Sequence, residues 1–304
     1  MTHNRLASWL FLWFLLSLSS TGFAAGSIAH MLIAKESIAL LPDAKLRSLL
    51  TDNMDAYLVG SNYPDSGYVD GARYGEDSHW DPYISAFIDH LKEKYPYPAD
   101  QNPKVVAFML GCATHVKADI VFHWTFINKA AQEDFHGDWD VAHEFADRGL
   151  DLVMLTEQNQ WLVRPLLWWV PVSDLVDVYH KMGKDEYTSA EIVWGNSVMS
   201  LAGIGERIIA PASYSYYKWK MPWTANHYYD DSYGGILMNE KLVAEYVENV
   251  WERLNGKATS VAKLEGKKYT ETMSPALQKV AAELRSGSSH AKVTTQQDGS
   301  AKID

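Results

Sequence analysis

The sequence predicts an all-α protein. Apolar residues recur at mixed three-and-four spacing in segment after segment, and the period-two alternation of strands is nearly absent. Prolines also sit at segment ends, with Pro42 placed to close one periodic stretch and Pro103 to open another. With 47% hydrophobic residues, 21% charged, 12 Trp, 17 Tyr and 9 Phe among 304 residues, the chain can bury a large core, which excludes wholesale disorder.

The segments follow in order. Arg5 precedes an apolar run from Leu6 to Leu18, and small residues follow at Ser19, Ser20, Thr21, Gly22, Ala24 and Ala25. This three-part pattern predicts a secretory signal over 1–24, because the run is shorter than the ~20 residues a spanning helix needs. Gly22 and Ala24 favour cleavage after Ala24, so the mature chain is expected to begin at Ala25. Ile28, Met31, Leu32, Ile38 and Leu41 form a helical stripe that ends at Pro42. From Pro103 to about Lys129 the stripe comprises Val106, Phe108, Met109, Leu110, Val116, Ile120 and Val121. Further helices are predicted over about 84–95, 138–157, 172–182, 187–210, 238–254 and 273–286.

Two polar, aromatic stretches read as long ordered loops: 59–80, with Gly60, Pro64, Gly67, Gly71 and Gly75, and 211–235, with six Tyr and two Trp. Residues 287–304 read as a disordered tail, leaving 25–286 as one domain.

Composition narrows the chemistry. A single cysteine, Cys112, excludes a disulfide framework within the chain and any cysteine-based zinc finger, so a bound metal must be held by His, Asp and Glu. The formal charge of −11 argues against wrapping of long nucleic acid, which needs a positive surface.

Four of the eleven histidines, His115, His123, His136 and His143, fall within one short stretch. His115, Asp119 and His123 recur every four residues and so project from one face of the predicted helix, the spacing from which helices hold divalent zinc. His143 and Asp147 repeat it on the next helix, and His136 with Asp140 is a rival pair at the same spacing. An isolated His–Asp pair of this kind is ordinarily a surface ion pair or a capped core histidine. Two pairs plus His123 on neighbouring helices shift the weight toward a metal site in a bundle core. His90, His180, His227 and His290 have no partner at ligand spacing and read as structural or solvated, although His227 lies in the aromatic loop.

The segments FMLGCATHVKADIVFHW at 108–124 and DFHGDWDVAHEFADRGLD at 134–151 resemble the zinc-dependent phospholipase C superfamily. That superfamily includes bacterial phospholipases C, fungal zinc nucleases and the catalytic domain of glycosylphosphatidylinositol-specific phospholipase D, the last being closest in look. The resemblance implies a largely helical domain with three zinc ions. It implies that Asp65, His79, His115 and Asp119 hold one ion. The amine and carbonyl of Ala25, with His30 and a bridging Asp119, hold a second, and His123, His143 and Asp147 the third. On the second helix, His143 and Asp147 are preferred as ligands, with His136 as a nearby or alternative one.

Asp65 is the implied catalytic group, orienting or deprotonating a zinc-activated hydroxide, with Glu144 and Asp134 supporting the ligating histidines. Two departures stand out: Ala25 replaces the initial Trp of the bacterial and fungal members, and Thr125 occupies the position where they carry a third helical histidine. His123 matches the phospholipase D relative instead.

The expected function is a secreted or periplasmic phosphodiesterase acting on phospholipid, with transient contact to a membrane surface and nucleic acid an unlikely partner. The aromatic stretches 161–172 and 214–233 suit a water–lipid boundary, the same rings suit stacking on nucleobases, and 161–172 equally fits an ordinary buried helix. A nuclease on the same metal frame and a non-catalytic, zinc-stabilised binding protein are the alternatives.

Overall fold

Local signals start most helices, as the computed structural model shows for residues 26–159, 169–230 and 232–257, together with two three-residue strands at 293–295 and 301–303. Helix α1 (Ser27–Ser37) passes through a short 3₁₀ turn and ends before Pro42. Asp43 caps α2 (Ala44–Asp52) by accepting from Lys45 N and Leu46 N, and α3 (Met54–Gly60) follows at once. After a 3₁₀ turn at Pro64–Tyr68 come the one-turn α4 (Gly75–Ser78), then α5 (Asp81–Lys94) and α6 (Pro98–Gln101), the last two with proline in the first turn.

Helix α7 (Pro103–Val121) is continuous through a π-helical turn, Phe122–Ile127, into α8 (Asn128–Asp134). Asp138 caps α9 (Trp139–Glu157), and α10 spans Val172–Lys181. A Thr188–Glu191 capping box opens α11 (Ser189–Lys220), after which come α12 (Pro222–His227) and α13 (Ile236–Leu254).

Helix α7 is the axis of the core, buried almost throughout, with α1, α3, α5 and α13 packed around it. The helix from Pro103 to Asp134 is long and apolar enough to cross a membrane, yet 83% of its most apolar window is buried inside the protein, as for a core helix. Helices α9 and α11 pair alongside, and α1 touches both α7 and α9.

The crossing of α3 and α7 is unusually close. A Cβ on Gly60 would lie 2.1 Å from Phe108 O, and one on Gly111 would lie 2.1 Å from Tyr57 O. Two glycines therefore let backbone meet backbone, and they bring the chain just after α3 onto the His115 face of α7.

The fold class agrees with the sequence, and several boundaries differ. Helix α11 runs through Pro211 to Lys220, and α12 follows, so much of the aromatic 211–235 stretch is helical rather than loop. The stretch 59–80 likewise holds helical turns. The predicted helix 273–286 and the signal segment 1–24 lie outside the described residues. So does the 287–304 tail, apart from Val293–Thr295 and Ala301–Ile303, which pair antiparallel.

Candidate metal centre

Four side chains from three separate parts of the chain meet at the middle of α7. Asp65 comes from the 3₁₀ turn after α3, His79 from the end of α4, and His115 and Asp119 from successive turns of α7. His79 Nδ1 faces Gly75 O at 2.7 Å and His115 Nδ1 faces Ser61 O at 2.9 Å. A carbonyl can only accept, so both Nδ1 atoms carry hydrogen, and in the neutral rings both Nε2 lone pairs point inward. Those two Nε2 atoms are only 3.0 Å apart.

The other separations are equally regular. Asp65 Oδ1 lies 3.2 Å from His79 Nε2 and 3.5 Å from His115 Nε2. Asp119 Oδ2 lies 3.6 Å from His79 Nε2 and 3.3 Å from His115 Nε2. Ligands about 2.0–2.2 Å from a tetrahedral zinc ion stand roughly 3.3–3.6 Å from one another, so two facing lone pairs and two carboxylates at these separations suit a single shared divalent cation.

Buried polar atoms of Asp65 and His30 without hydrogen-bond partners among the described residues adjoin this set. Asp65 is fully buried, and its Oδ2 has no hydrogen-bond partner among the described residues. His30, on α1, stacks on His115 with centroids 4.0 Å apart. Its Nε2 approaches Asp119 Oδ1 to 3.1 Å without the geometry of a hydrogen bond. His123 Nε2 lies 3.9 Å from the same oxygen. Asp119 therefore turns one oxygen to His79 and His115 and the other to His30 and His123. His123 meets His143 of α9 edge to face at 4.7 Å, and Trp139 stacks on His143 at 4.7 Å.

The electrostatics register this crowding. Burial alone would lower the His115 pKa, but Asp119 and Asp65 outweigh it and push the imidazole up to about 9. Burial pushes His123 down to about 3, and it also lowers His30 and His143. Burial would raise the Asp119 carboxyl, but His115 and His123 hold it well below the usual carboxylate range. The lowered His30, His123 and His143 favour the neutral imidazole that a metal requires, whereas a proton on His115 is one that a bound cation would have to displace.

The remaining candidates divide. Ala25 lies outside the described residues. Asp147 lies on α9, one turn after His143, and its side chain is outside what the structure describes. His136 is exposed in the turn before α9 at a φ of 56°, and Asp140 is also exposed, so neither is drawn into the cluster. Asp134 accepts from Trp223 N, Thr224 N and Thr224 Oγ1, which makes it the cap of α12 rather than a support for a ligating histidine. His90 pairs with Asp174 at 2.9 Å, and His227 stacks on Trp223, both structural arrangements.

A cleft of about 380 Å³ opens beside the cluster. Its lining includes His79, Asp119, His123 and His143, and also Tyr68, Trp80, Ile120, Trp124, Glu144 and Arg148. Asp65 does not itself line it. The aromatic walls and Arg148 escaped the sequence reading. Arg148 stands four residues after Glu144 and so shares its helix face, a spacing legible in the sequence, whereas Tyr68, Trp80 and Trp124 converge only through the fold.

Comparison with known proteins agrees with this chemistry. The family model described as zinc dependent phospholipase C matches residues 29–193. The phosphatidylinositol-glycan-specific phospholipase D of Homo sapiens is 30% identical over 238 residues, 72% of this chain and 28% of that protein. The Rattus norvegicus protein is 30% identical over 254 residues, 78% of this chain and 30% of its own length. The Dictyostelium discoideum protein is 26% identical over 249 residues, 78% and 26% respectively. The chain thus spans less than a third of the length of these relatives. No solved structure is significantly similar. Because that family model matches more than half of the chain and spans the clustered Asp65, His79, His115 and Asp119, the chain belongs to the zinc-dependent phospholipase C family.

Proposed function

We propose that this chain is an exported zinc-dependent phosphodiesterase that hydrolyses phospholipids. The observation supporting it most is the convergence of Asp65, His79, His115 and Asp119, with neighbouring ligand atoms 3.0–3.6 Å apart, beside a cleft of small-ligand size. Three ions are proposed, the second held by Ala25, His30 and Asp119 and the third by His123, His143 and Asp147, with His136 left outside. Zinc, when bound, neutralises phosphodiester charge and brings the pKa of a bound water toward about 7.

The chain's own groups do the rest. Asp65 Oδ2, buried and without a partner among the described residues, is positioned to take a proton from a water held inside the cluster. Arg148 offers a planar set of donors to a phosphate in the cleft, and Tyr68, Trp80 and Trp124 give its walls an apolar surface for the lipid portion. Tyr216 and Trp219, 49% and 74% exposed near the end of α11, support transient contact with a lipid surface. The signal pattern at 1–24 supports a secreted or periplasmic location.

Purified protein assayed on phosphatidylcholine, on a phosphatidylinositol-glycan and on single-stranded DNA, each with and without a chelator, tests the reading. Chelator-sensitive lipid cleavage is expected. Diacylglycerol with a phosphorylated head group marks phospholipase C-type cleavage, and phosphatidic acid marks the D type. Cleavage of DNA alone would favour a nuclease, and no cleavage at all would favour a zinc-stabilised binding protein.

A further inference from the structure

Helix α1 carries His30 into the centre, yet it has no cap of its own. Its N-cap residue is Gly26, which has no side chain to bond the first free N–H groups. Ser27, at the next position, buries its hydroxyl without a hydrogen-bond partner among the described residues. The donors are met from far along the chain. Asp151, on α9 and fully buried, accepts from Ile28 N at 2.8 Å through Oδ2 and from Ala29 N at 3.0 Å through Oδ1. Burial and the neighbouring Glu206 push the Asp151 carboxyl well above the usual carboxylate range, while the two N–H bonds it accepts pull it back.

The next residue is His30, whose ring stacks on His115 and faces Asp119. The clamp therefore fixes the register of α1 one residue before the ligand, and a slip of one turn would carry that imidazole about 5.4 Å along the axis. We infer that Asp151 is a positioning residue for the metal centre: by holding Ile28 and Ala29 it sets His30 opposite Asp119. This rests on the proposed reading of His30 as a ligand.

The test uses the full-length protein exported and processed by its host, with zinc per chain measured by plasma mass spectrometry at fixed free zinc. Asp151→Asn is expected to lose about one ion per chain, as His30→Ala does, and the double variant is expected to lose no more than either. Adding Gly26→Asp to Asp151→Asn supplies a local cap, and is expected to restore the melting temperature without restoring zinc. This second variant also covers the case in which Asp151→Asn alone does not fold. Full zinc content in Asp151→Asn, losses that add in the double variant, or zinc restored by Gly26→Asp would each overturn the inference. Unchanged zinc in His30→Ala would overturn the ligand reading and the inference together, whereas loss in His30→Ala but not in Asp151→Asn overturns the inference alone.

Discussion

Asp119→Asn is the sharpest perturbation of the proposed centre, because the two oxygens of Asp119 face different partners. Oδ2 is 3.3 Å from His115 Nε2 and 3.6 Å from His79 Nε2, while Oδ1 is 3.1 Å from His30 Nε2 and 3.9 Å from His123 Nε2. Asparagine keeps the shape but removes the charge from both sides, so two ions are expected to be lost together. At free zinc 100 times its dissociation constant, each ion contributes about 2.7 kcal/mol by mass action, or about 5 kcal/mol for two. A folded unit the size of residues 26–257 loses roughly 0.5 kcal/mol per degree near its midpoint, from ~2.1 cal/mol/K per residue. The variant should therefore melt about 11 °C below the wild type in zinc, with the gap shrinking in chelator. Calorimetry and zinc analysis of the same samples read both quantities. Normal zinc content, or a loss no larger than that of the one-sided ligand variant His79→Ala, would refute the bridge.

Other expectations concern the edges of the site. His143→Ala should lose far more zinc than His136→Ala, since His143 packs on His123 while His136 is exposed, and the reverse order would reassign the ligands. One extra residue left before Ala25 should weaken the N-terminal ion, and unchanged zinc content and activity in that protein would exclude the terminal amine as a ligand. Burial pushes Glu206 up from 4.5 to about 7, so the folded chain keeps a proton that the unfolded chain releases. Its stabilising effect is full below about pH 4.5 and is lost as pH rises through about 7, in a titration shared with the neighbouring Asp151 carboxyl. Glu206→Gln should flatten that dependence and melt higher than the wild type at pH 8, and parallel melting curves across pH would contradict it.

The parts of this centre that lie close together along the chain were legible before the fold was. His115, Asp119 and His123 share a helix face because their spacing does, whereas the side chain of Asp147, paired with His143 by the same spacing, lies outside the described residues. Asp65, His79 and His30 entered by family resemblance, since what joins them to α7 is the Gly60–Gly111 crossing and the Asp151 clamp, which act across long sequence separations. The short helices α2 and α3 were missed although Asp43 is an ordinary cap, because their apolar runs are too brief to establish a period. Pro211 read as a stop, and packing of α11 against α9 carries the helix past it. The π-helical turn had no sequence signature: it sits where Gly234, at a φ of 80°, presses so close to Thr125 that a Cβ would collide with it.

That widened turn divides one long rod into two parts with independent phase. Upstream of Phe122 the helix is pinned by the packing of His115 and Asp119 against His79 and His30. Downstream, Trp124 forms cleft wall, and its azimuth depends on how many residues the widened turn contains. Each residue of an α-helix advances about 100°, so losing or gaining one here would swing the wall and everything after it while leaving His115 and Asp119 in place. An insertion or deletion at this joint would therefore reshape the cleft wall and move His123 with it, while the cluster of Asp65, His79, His115 and Asp119 upstream kept its geometry.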